Sequence, residues 1–120
     1  MLPAVLAALQ GLRPPFAPLE SDIHRMVGDC LRDAGLPCAH EARIGKGCRI
    51  DYLVGTVGVE IKKGRPDAAG LMRQLARYAA CAQIEALVVV SQRAVTLPDR
   101  VCGKPVRGVA LNRLWGVALP

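Results

Sequence analysis

Asp51, Glu60 and Lys62 are the residues of this chain best placed to do chemistry, and all three fall within Arg49-Ile50-Asp51-Tyr52-Leu53-Val54-Gly55-Thr56-Val57-Gly58-Val59-Glu60-Ile61-Lys62. Two short apolar runs flank Gly55-Thr56, and a glycine at the first loop position suits a two-residue type II′ hairpin turn. Counting outward pairs Val54 with Val57, Tyr52 with Val59, Asp51 with Glu60, and Arg49 with Lys62. Directly opposed residues share a face, with Cβ atoms about 4.5–5.5 Å apart. The two carboxylates and the lysine are therefore expected together, with Ile50, Tyr52, Val54, Val57, Val59 and Ile61 on the other side. Opposed like charges destabilise a sheet, whereas oxygen donors at that spacing suit a hard divalent cation such as Mg2+. The alternative is a charged outer face open to solvent, where Lys62 offsets part of the repulsion.

The flanking elements must hold that hairpin in place. Leu19, Ile23, Met26, Val27, Cys30 and Leu31 recur at helical spacing, which predicts a helix over Leu19–Ala34. Strands are expected at Ala39–Ile44, Arg49–Val54 and Val57–Lys62. A second helix over Asp67–Ala82 packs through Leu71, Leu75, Ala79 and Ala82. It sets Gln74 and Tyr78 four residues apart, adjacent in space. Gln74 carries both a donor and an acceptor for substrate or water. The apolar run Ala86–Ser91 reads as a buried strand. Glu20 reads equally as a site carboxylate and as a first-turn glutamate that complements the helix dipole.

The order of these residues resembles the PD-(D/E)XK nuclease superfamily. Asp51 matches the aspartate of its second strand, although the proline that often precedes it is Ile50 here. Glu60 and Lys62 match its (D/E)XK element without change. Glu20 matches an acidic residue of its first helix. Gln74 and Tyr78 match the QxxxY element of RecB-type and lambda-exonuclease-like members. The resemblance covers about residues 19–91 and implies an α/β fold: a restriction-endonuclease-like αβββαβ core with a mixed central sheet flanked by helices. An N-terminal helix and a C-terminal strand would be added to it in a single domain, 1–120. It further implies hydrolysis of DNA phosphodiester bonds with Mg2+, for which Mn2+ can substitute, leaving 5′-phosphate ends. Asp51, Glu60 and the backbone carbonyl of Ile61 would hold the ion, with Glu20 joining directly or through water. Lys62 would hold the attacking water or stabilise charge on the transition state, and Gln74 would orient water or substrate. A junction resolvase, a VRR-NUC-like phage enzyme and a nicking or repair endonuclease all fit this size. A non-catalytic nucleic-acid-binding or structural module of the same fold is the alternative.

Sixteen Lys and Arg against ten Asp and Glu give a net charge of +6, so a surface that gathers acids at one site is more basic elsewhere. Lys46, Arg49, Lys63, Arg65, Arg73, Arg77 and Tyr78 are expected to meet DNA, through phosphates in the case of the basic residues. Aromatic residues are only 3% of the chain, which argues against a base-stacking platform. The five cysteines, Cys30, Cys38, Cys48, Cys81 and Cys102, lack zinc spacing, and most read as buried thiols of a cytoplasmic protein. His24 and His40 are separate and read as surface or packing residues. Leu2, Val5, Leu6 and Leu9 form a helical stripe, ended by Pro14-Pro15, that packs on the domain or on a second subunit. This segment is too short to span a bilayer. The tail, with a strand at Val106–Leu111 and with Trp115, extends the sheet or forms a homodimer contact. No organic cofactor is expected.

Overall fold

The computed structural model describes residues 1–14 and 18–116, with side chains through Leu114, so Pro15 and the Trp115 side chain lie outside it. The element order is α1 (Leu2–Leu9), α2 (Glu20–Asp33), β1 (Ala39–Gly45), β2 (Cys48–Val54), β3 (Val57–Lys62), α3 (Ala68–Ala79), β4 (Ala86–Ser91), β5 (Arg100–Val101), β6 (Lys104–Ala110) and α4 (Leu111–Gly116). The six strands form one mixed sheet in the order β1-β2-β3-β4-β6-β5. β1, β2 and β3 run antiparallel in sequence, while β3, β4 and β6 lie parallel.

β4 is buried along its whole length, which explains its continuous apolar run: a parallel central strand is covered on both faces. On one face Val5 and Leu9 of α1 and Ile23, Val27 and Leu31 of α2 pack on Tyr52, Val54, Val57, Val59, Ile61, Val88 and Val90. On the other, Leu71, Leu75, Tyr78 and Ala79 of α3 pack on Ile50, Ile84, Leu87, Val89 and Val106. The N-terminal helix therefore packs on the sheet's own helical layer, and β6 of the tail extends the sheet beside β4.

Several expected boundaries shift for local reasons. α1 ends at Leu9, before the prolines are reached. Leu19 is not part of the packing stripe of α2. It is the exposed N-cap residue, and the Asp22 side chain accepts its N–H at 3.0 Å. α3 starts after Asp67, whose carboxylate caps Gly70 N–H at 2.9 Å, and ends at Ala79, leaving Ala82 exposed. The C-terminal strand begins two residues early, at Lys104, and Leu111 opens α4. Among the described residues, no helix is long and apolar enough to cross a membrane.

Candidate active site

The hairpin turn has the expected form, with Gly55 at φ +60° in the first loop position, a conformation that costs glycine little. The ladder beyond it pairs Val54 with Val57, Leu53 with Gly58 and Tyr52 with Val59. It does not continue to the expected pairs of Asp51 with Glu60 and Arg49 with Lys62. Asp51 Oδ2 instead accepts the Ile61 N–H at 2.7 Å, so a side chain takes the place of a backbone partner. On the other edge of β2, Glu41 lies between the pairs His40–Tyr52 and Ala42–Ile50 and adopts φ +52°. That left-handed conformation costs a non-glycine residue about 1–2 kcal/mol, and such residues cluster at functional sites. Side-chain alternation breaks at the same place. Ile50, expected with Tyr52 and Val54, joins the α3 layer.

Glu60 is the buried acid among the described residues, 4% exposed. Its Oε2 lies 3.3 Å from Lys62 Nζ and its Oε1 lies 3.1 Å from the Tyr78 hydroxyl. That hydroxyl accepts from Gln74 Nε2 at 2.9 Å, and its single proton is divided between Glu60 and the Arg49 carbonyl, 3.0 Å away. Burial, and then the Asp51 carboxylate, push Glu60 up to about 7; Lys62 and Tyr78 pull the other way. Burial and then Glu60 push the Tyr78 phenol far above its ordinary range. A carboxyl group that changes charge near neutrality, beside a second carboxylate and a lysine, is equipped to hold a cation or move a proton.

The donor set suits a hard cation. Asp51 and Glu60 supply oxygen, and their mutual repulsion leaves negative charge that Lys62 offsets only in part. Among the described residues no group of three or more His, Cys, Asp and Glu is arranged to hold a metal. Any ion here would therefore rest on these two carboxylates, with the Ile61 carbonyl the remaining ligand expected, and would keep several waters, as Mg2+ commonly does.

Glu20 is exposed in the first turn of α2. It lines an open hollow of about 540 Å3 with His24, Arg25, Arg32, His40, Glu41 and Tyr52. No hydrogen bond or ion pair among the described residues ties it to Asp51 or Glu60. Tyr78, expected to meet DNA, is only 3% exposed, and its hydroxyl is committed beneath Glu60. Lys46, Arg49, Lys63, Arg65, Arg73 and Arg77 are all exposed.

Sequence reasoning left the two histidines apart, and the fold joins them. His24 Nδ1 and His40 Nε2 lie 3.2 Å apart, the His40 ring stacks on Tyr52 at 4.5 Å between centroids, and His24 Nε2 is 4.0 Å from Asp51 Oδ2. The only local signal was that Glu20 and His24 are four apart on a helix; the pairing of His40 with Tyr52 needed the β1–β2 register. The cysteines also differ from expectation. Four are half-buried and Cys102 is exposed.

No family model, curated protein or solved structure matches this chain.

Proposed function

We propose that this chain is a metal-dependent nuclease that hydrolyses DNA phosphodiester bonds, an endonuclease leaving 5′-phosphate ends, built on a restriction-endonuclease-like αβββαβ core. The observation that carries this reading is the buried Glu60 carboxyl, raised to about 7 by burial and by Asp51 and paired with Lys62. The order α2-β1-β2-β3-α3-β4 supports it, with Asp51 on the second strand of that run, Glu60 and Lys62 on the third, and Gln74 and Tyr78 on the following helix.

Asp51 and Glu60 would hold Mg2+, and a bound ion supplies charge neutralisation and acidification of water. Lys62 has three N–H donors; one reaches Glu60, and the others are free for a phosphate oxygen or the attacking water. Tyr78 fixes the Glu60 rotamer from below, and Gln74 fixes the Tyr78 hydroxyl. Glu60 lies deep enough that surrounding protein, not bulk water, sets its charge. The exposed basic residues would grip the phosphates on either side. DNA, a homodimeric partner and a cytoplasmic setting belong to the same proposal.

The test is incubation with supercoiled, linear, single-stranded and four-way-junction DNA, with Mg2+, Mn2+ or EDTA. Cleavage that needs the divalent ion and disappears in Asp51→Ala is expected. Cleavage that persists in Asp51→Ala or in EDTA would sink the proposal. One observation favours the second reading, a non-catalytic nucleic-acid-binding or structural module: Lys62 and Tyr78 both partner Glu60, so its carboxylate is satisfied from within the protein. Calorimetric titration of Mg2+ separates the two, since that module has no reason to bind it.

A further inference from the structure

Cys48 opens β2 and Cys81 lies just past the end of α3, and their sulfur atoms approach to 3.8 Å. We propose that Cys48 and Cys81 form a modification site, an intramolecular disulfide that staples α3 to the β1–β2 hairpin. Such a bridge needs only the two thiols and their positions, and no nuclease activity.

The pair is preorganised from three sides. Cys81 Sγ also reaches the Arg77 carbonyl at 3.4 Å, which holds it at the helix end. Gly45, the cross-strand partner of Cys48, leaves the sulfurs room: a Cβ there would lie 3.1 Å from Cys81 Sγ. The Lys104 ammonium holds the Cys81 carbonyl at 3.1 Å. A disulfide requires the sulfurs to close from 3.8 Å to roughly 2.05 Å, by rotation of the two side chains about their Cα–Cβ bonds. The segment between the two cysteines contains Asp51, Glu60, Lys62, Gln74 and Tyr78, so the staple would close a loop around these residues.

A low-molecular-weight disulfide is the oxidant. One cysteine thiolate attacks it, forming a mixed disulfide and expelling one thiolate, which takes up a proton. The second cysteine, as thiolate, then attacks the protein sulfur of that mixed disulfide. The internal bridge forms and a second small thiol leaves, so two protein thiols are oxidised as one disulfide is reduced to two thiols. Burial and the neighbouring Cys81 push the Cys48 thiol up, so oxidation should quicken with rising pH.

The experiment treats the full chain with oxidised glutathione, alkylates the remaining thiols, and maps tryptic peptides without reduction. The expected product joins the peptide Gly47–Arg49 to Tyr78–Arg93. Three of the five cysteines remain alkylatable (five less the two bridged), and the melting temperature rises by on the order of 10 °C. Cys102→Ser should form the same bridge, and Cys81→Ser should lose both the bridge and the thermal shift. Bridges that join other cysteines, glutathione left as stable mixed disulfides on Cys48 or Cys81, or five alkylatable thiols after oxidation would each overturn the proposal.

Discussion

At the scale of single residues, Glu60 decides how the molecule responds to pH. Its folded value is about 7 against an ordinary 4.5, so the folded state binds the extra proton between those limits. Stability without added metal should therefore fall as pH rises through that window, and the full penalty is present above it. Glu60→Gln removes the ionisation. The variant should melt above wild type at pH 8, with the gap closing toward pH 4.5. A gap that stays constant from pH 4 to 9 would mean Glu60 ionises as an ordinary glutamate. Added Mg2+ should raise the wild-type melting temperature more at pH 8 than at pH 5, because it binds the ionised form. Lys62 and Lys63 are neighbours with different surroundings: Lys62 is paired with Glu60, and Lys63 is exposed beyond the end of β3. Lys62→Ala should lower kcat by orders of magnitude with little change in DNA affinity. Lys63→Ala should weaken binding mildly and leave kcat near its normal value. Equal effects in both kinetic constants would mean the lysines are wrongly assigned.

At the scale of elements, the site is held where β2 leaves its ladder with β3 and where α3 lies across the break. The Tyr78 hydroxyl joins the pieces, through Glu60 on β3, the Arg49 carbonyl on β2 and Gln74 on its own helix. Tyr78→Phe should cost about 1–2 kcal/mol in urea unfolding, the usual penalty for leaving buried partners unsatisfied. It should push Glu60 higher still, because the lost hydrogen bond favoured the charged form. DNA affinity should be unchanged, since the ring is buried; a large loss of affinity would return Tyr78 to the binding surface. Gly58 marks a close approach on the same face. A Cβ there would run into Ile50 and come within 3.1 Å of Ile84 Cδ1 and Leu87 Cδ2. Gly58→Ala should therefore destabilise the fold by about 1–3 kcal/mol, and an unfolding midpoint equal to wild type would show that the packing yields there.

At the scale of the whole molecule, the net charge of +6 and the six exposed residues Lys46, Arg49, Lys63, Arg65, Arg73 and Arg77 would set how the proposed DNA binding depends on salt. If each neutralises one phosphate, log K should fall against log salt with a slope of about −5. An affinity flat across salt would remove nucleic acid as the ligand.

Much of this architecture was legible because it is written in short-range periodicity. Gly55-Thr56 between two alternating runs specified the hairpin, helical spacing at Ile23, Val27 and Leu31 specified α2, and the unbroken run Ala86–Ser91 specified a strand buried on both faces. Asp51, Glu60 and Lys62 stand out by type and by nearness to one turn, both local, but the pairing counted from that turn holds only as far as Tyr52 with Val59. What tertiary structure alone decided depends on contacts between segments far apart in the chain. The break in alternation that moves Ile50 to the α3 layer lies opposite the left-handed Glu41 on another strand, and no two-residue period encodes it. The burial of Tyr78 follows from which face of α3 meets the sheet. The meetings of His24 with His40 and of Cys48 with Cys81 follow from packing that brings a helix against a hairpin. Local pattern names the residues able to do chemistry, and long-range packing determines which of them meet, because only burial and shared partners fix charge, rotamer and distance together.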